Sequence, residues 1–177
     1  MGFLDFNKKK RLEALWILTE TMGGGDPGPV PRQLPTEASM LGFLRMQISG
    51  ATHQTQDTLK ILNSTANPDT FYPRVDFARQ RLDFLCRVQA FDSKLLPFDA
   101  RKILRDLERL LPRQESDMWQ RAYDKAVETA RQRKTREAQI RPFEKLFNFA
   151  DQYSDRIGPQ AAKTLARCRA NMQTLMS

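Results

Sequence analysis

The chain has 177 residues, 40% apolar and 28% charged, polar for a globular protein yet outside the disordered class. About 70% of the unfolded surface can be buried at this length, so a core needs no covalent staple; two cysteines and one histidine exclude a Cys/His zinc site and a disulfide framework, and no apolar run approaches the roughly 18 residues of a spanning helix. The net charge is +8, and residues 131–177 carry 10 basic against 4 acidic groups, so +6 of it lies in the last quarter.

Apolar residues recur at helical spacing and strict β-type alternation is absent, so the expected fold is all-α. A first helix is predicted over 3–22, with Leu12, Leu15, Trp16 and Thr19 on one face and Ile17 and Leu18 widening it. Its start joins the apolar Phe3, Leu4 and Phe6 to the cations Lys8, Lys9, Lys10 and Arg11. A secretory signal places its charge before the apolar stretch, not after it, so the cytoplasm is the expected location. Residues 23–35 hold four of the eight glycines and four of the ten prolines. Glycine frees the backbone and proline denies a helix its hydrogen bonds, so this segment reads as a linker tethering the first helix to a bundle domain over 36–177.

Thr36 is a suitable N-cap for a helix over 36–66, whose stripe runs through Leu41, Leu44, Ile48, Ala51, Thr55, Leu59 and Leu62. Gly50 inside it suggests a kink or a close helix contact. Asn67-Pro68-Asp69 breaks the chain, and Pro73 is expected to open the next helix, over 73–93. After Pro97, a helix over 98–111 capped near Asp99 is expected to end at Pro112. Ser116 then caps a helix over 116–140 whose face is Trp119, Tyr123, Ala126 and Ala130. Beyond Ala130 the stripe stops at Arg131, Arg133, Lys134 and Arg136, where the helix either projects into solvent or bends. Pro142 is expected to open a helix over 142–155. Its Phe143, Leu146, Phe147, Phe149, Ala150 and Tyr153 cover most of the circumference, which makes it the expected most buried helix. Gly158-Pro159 leads into a last helix over 159–176. Short connections favour up-and-down neighbours, so these five to six helices are expected to form an antiparallel bundle.

Asn67-Pro68-Asp69-Thr70-Phe71-Tyr72, with Arg74 and Asp76 just after, resembles a corner motif, NP-x-x-F-[FY], of small uncharacterised helical proteins of bacteria and their phages. Lys134-Thr135 followed by Phe143-Glu144 is similar to a second marker of that group. Tyr72 stands where the group commonly has Phe, and Pro73 is not a usual member. The resemblance implies an all-helical fold and carries no activity, cofactor or catalytic residue.

The side chains of most hydrolytic and metal chemistry are scarce. His53 lies in a polar stretch and reads as a surface residue. The glycine-rich segment lacks a GK[ST] and a preceding strand, so it is no phosphate loop. Asp151 with Asp155, and Asp76 with Asp83, share helix faces but have arginine neighbours, so surface ion pairs explain them. Cys86 and Cys168 read as reduced packing residues. No catalytic, cofactor-binding or metal-binding residue is assigned, and the protein is expected not to be an enzyme.

Two tracts read as binding surfaces. The first is Phe3, Leu4, Phe6, Lys8, Lys9, Lys10, Arg11 and Trp16, suited to a protein partner, a second copy of the chain or an anionic membrane surface. The second is Arg131, Arg133, Lys134, Arg136, Arg141, Lys163 and Arg167, suited to sequence-tolerant contact with nucleic acid; no aromatic is seen interleaved with it. The leading expectation is an interaction or scaffold protein that uses its first helix, with nucleic-acid binding and peripheral membrane attachment as alternatives.

Overall fold

The structure, a computed structural model, describes residues 3–22 and 24–176, with side chains described over 7–22 and 24–174. Six α-helices follow in order: α1 (Phe3–Glu20), α2 (Glu37–Ser64), α3 (Pro68–Phe91), α4 (Ala100–Arg131), α5 (Arg136–Gln152) and α6 (Pro159–Met176), with a 3-10 turn at Ser93–Leu95. No strand occurs among the described residues, and no helix is long and apolar enough to cross a membrane. The chain divides into two compact units: Met1–Thr58 with Asp76–Asp106, and Leu59–Val75 with Leu107–Ser177.

In the first unit α1 is docked. Leu15 and Leu18 join Met40, Leu44, Ile48, Ala51, Phe84, Leu85, Val88, Leu96 and Ala100 in one core, and Leu12 and Trp16 pack on its margin. Polar contacts hold the end of α1 as well. Gln47 Nε2 donates to the Thr19 carbonyl at 2.8 Å, and Arg81 and Arg87 donate to the carbonyls of Met22 and Thr21. Residues 24–36 have no regular structure, as a glycine–proline segment should, but they do not set α1 apart from its unit. Gly24 takes φ +83°, which glycine adopts without strain, and a Cβ there would collide with the Gln80 side chain.

Two of the three expected caps are found; Ser116, the third, lies buried inside α4 with its hydroxyl 2.8 Å from Thr164 Oγ1. Thr36 Oγ1 accepts from Ser39 N, and Asp99 Oδ1 accepts from Lys102 N. Gly50 marks no close contact: a Cβ there would meet only Met22 Cε, at 4.0 Å.

Three prolines depart from expectation. Pro68, not Pro73, opens α3: Asn67 Oδ1 accepts from Asp69 N at 3.1 Å, the N-cap contact, and proline at the first helical position sacrifices no bond. Pro73 lies inside α3 and Pro112 inside α4, so the predicted helices over 98–111 and 116–140 are largely one. The reason is phase. Leu107, Leu111, Glu115, Met118, Ala122, Ala126 and Ala130 recur every three or four residues straight across Pro112, and six of the seven are buried. A break would discard that seam to relieve one lost hydrogen bond. Pro73 and Pro112 are themselves exposed, as are Asp69 and Glu108, whose carbonyls lose a partner, so water can serve them.

Pro142 is likewise inside α5. The bend falls earlier, over 132–135, where the apolar stripe has run out and Thr135 Oγ1 caps α5 by accepting from Ala138 N. Of the two outcomes foreseen for the basic stretch, the chain bends. Nor is α5 wrapped in apolar contact: it buries only Phe143, Leu146 and Ala150.

Candidate functional site

The second unit contains a groove of about 630 Å³ with three walls. The corner over 66–69 forms one, the carboxy-terminal turns of α4 a second and α5 the third. Helical spacing brings the side chains there. On α4, Lys125 and Thr129 stand one turn apart, with Arg133 just past the helix end. On α5, Arg141, Lys145 and Phe149 succeed one another every four residues. Between these stripes the floor is small and apolar, with Ala122, Ala126, Ala138, Pro142 and Leu146.

Four cations, Lys125, Arg133, Arg141 and Lys145, thus face one carboxylate, Asp69. That carboxylate is engaged: its Oδ1 accepts from the Tyr153 hydroxyl at 2.8 Å, a bond that holds the Tyr153 phenol above its ordinary range. Arg141 pairs with the exposed Glu137 at 2.9 Å, a surface contact of small energetic worth. Lys145 Nζ lies 5.8 Å from the Phe149 ring centroid. The Lys125 and Arg133 side chains have no hydrogen bond or ion pair among the described residues.

The corner wall is held by a buried polar cluster. Glu115, a near-fully buried carboxylate, accepts from the Tyr72 hydroxyl at 2.7 Å and from Gly158 N at 3.2 Å. Trp119 Nε1 donates to the same hydroxyl, Tyr153 stacks on Tyr72 at 4.6 Å, and the Arg156 guanidinium lies 4.9 Å from the Tyr72 centroid. Burial first, and the bond to Glu115 second, push the Tyr72 phenol well above its ordinary value. Arg121 Nε donates to the Thr65 carbonyl at 3.0 Å and ties the chain just before the corner to α4. Phe71 and Tyr72 are buried, so the residues after Asn67-Pro68 plug the interior.

Of the seven basic residues singled out from sequence, the structure brings Arg133 and Arg141 into the groove. Arg131 lies instead beside Asp124 and Glu128 on another depression. Lys134 and Arg136 are exposed at the bend, Lys163 is exposed on α6, and Arg167 donates to Gln120 Oε1 at 2.6 Å. Sequence reasoning missed Lys125 and Lys145, although the four-residue spacing of Arg141, Lys145 and Phe149 was a usable signal. It also missed the aromatic: Phe149, read as core, is half-buried and lines the groove.

The amino-terminal tract fares differently. Phe3, Leu4 and Phe6 have side chains outside the described residues. Lys8, Lys9 and Lys10 are exposed. Arg11 is occupied by Glu37 at 3.0 Å and by the Phe91 ring, and Trp16 is half-buried against the first unit's core. His53 is exposed and faces Asp57 at 3.2 Å. Asp151 pairs with Arg169 and Asp83 with Arg87. Burial raises the thiol pKa of Cys86 and Cys168, away from reactive thiolates. Among the described residues no three His, Cys, Asp or Glu side chains are grouped to hold a metal.

Comparison with protein-family models, with curated proteins and with solved structures finds no match.

Proposed function

We propose that the protein is a non-enzymatic binding protein whose second unit engages the phosphate backbone of nucleic acid without reading its sequence. One observation carries this reading: four cations line a single groove against one carboxylate that a tyrosine already occupies. Like charges held on one face repel each other, and a polyanion relieves that repulsion while releasing its own counterions. The unit as a whole carries 16 basic and 10 acidic residues, net +6, against +2 for the other unit.

The test is titration of a labelled oligonucleotide followed by anisotropy, comparing the unaltered protein with the triple variant R133Q/R141Q/K145Q. The variant should lose at least about tenfold in affinity, since each phosphate contact contributes separately. A control variant, K8Q/K9Q/R101Q, removes equal charge from the first unit and should bind nearly as well. Equal losses in both would mean net charge alone acts, and the groove reading fails.

A second reading, protein–protein contact, has its own support in the first unit. Phe43 and Met46 lie one turn apart on α2 and are 47% and 65% exposed. Sedimentation over a range of concentrations, with and without F43S/M46S, tests self-association there. A concentration-dependent species that the double variant abolishes supports it, and one monomeric boundary throughout removes it.

A further inference from the structure

We infer that the groove of the second unit takes a single strand rather than a duplex, with a base stacked on Phe149 and the adjoining phosphates met by Arg133, Arg141, Lys145 and Lys125. This rests on the nucleic-acid reading above and specifies the form of the ligand. A surface that only tracks a duplex backbone needs cations alone, because paired bases keep their faces covered. This groove offers more. Its floor is apolar, and at its end stands a half-buried phenyl ring on the same helical stripe as two of the cations. Arg141, Lys145 and Phe149 are successive turns of α5, about 6 Å apart along the axis, close to the spacing of consecutive phosphates and bases on an extended strand. Lys145 already lies near the Phe149 ring; it can move to a phosphate and leave the ring to a base without any backbone change. Every base has a π-face, so such a platform binds without sequence preference.

The experiment compares, at one low salt concentration, a labelled single strand, the duplex of the same sequence and inorganic polyphosphate, each with the unaltered protein, F149L and F149A. F149L keeps an apolar side chain of similar bulk and removes the ring, so it separates stacking from packing; circular dichroism checks that both variants are folded. The single strand should bind about tenfold more tightly than the duplex. F149L should lose about tenfold for the single strand and leave duplex and polyphosphate binding unchanged. If duplex and single strand bind equally, or F149L loses nothing on the single strand, the stacking inference is overturned while the nucleic-acid reading stands. If neither nucleic acid binds, both are overturned together.

Discussion

Glu115 and Tyr72 show how single side chains set the groove's geometry. A buried carboxylate is costly unless its oxygens are met, and here a phenol and a backbone amide meet them. Y72F removes one donor without changing shape, so it should lower stability by about 1–3 kcal/mol, measured by denaturant unfolding. The pH dependence follows in sign. The Tyr72 phenol titrates above its ordinary value near 10 because burial and the Glu115 carboxylate oppose its ionisation. Its folded pKa exceeds its unfolded one, so its contribution is complete below about pH 10 and is lost as the pH rises beyond that. The unaltered protein should weaken steeply in alkali and Y72F more gently; parallel declines would remove Tyr72 as the cause. Glycine offers the opposite test. Gly42 and Gly50 sit inside α2 with no neighbour that an added methyl group would strike. G42A and G50A should each raise stability by about 0.5–1 kcal/mol. A loss of stability in either variant would contradict the open space beside these positions.

Elements were legible where the pattern was periodic. The stripe of α2 and the caps at Thr36 and Asp99 stood plainly in the sequence, because spacing and capping chemistry are local. Proline misled. Pro73, Pro112 and Pro142 read as boundaries because each lacks a donor, but the phase of the buried stripe through Pro112 outweighs the one helical hydrogen bond that the proline cannot make. P112A therefore restores an α4 hydrogen bond and should raise the unfolding midpoint, adding up to about 3 kcal/mol; an unchanged or lowered midpoint would contradict a continuous α4. T135A removes the cap that starts α5 and should cost about 1 kcal/mol. The docked position of α1 was not legible, since a glycine–proline segment says how a helix is joined and not where it lands. L15A empties a fully buried position and should cost about 2–5 kcal/mol; a negligible cost would show α1 undocked. The groove was half legible. Arg133 and Arg141 stood in the basic tract and Lys145 could be reached from Arg141 by its four-residue spacing, whereas Lys125 was hidden because a groove collects residues from two helices, which a count along the chain does not see.

At the scale of the whole molecule, the charge asymmetry and the helical architecture belong together. The first unit spends α1, Arg11 and Trp16 on its own packing and is nearly neutral, while the second keeps its surplus cations on the surface and gathers four of them around one depression. Small apolar residues on the floor let α4, α5 and the Asn67 corner frame that depression without filling it. The most direct test is the salt dependence of single-strand affinity between about 50 and 200 mM monovalent salt. Four cations predict a slope of log affinity on log salt near −3, at about 0.7 per phosphate met, falling to about −1 in R133Q/R141Q/K145Q. A flat response, or the same slope in both proteins, would contradict the account.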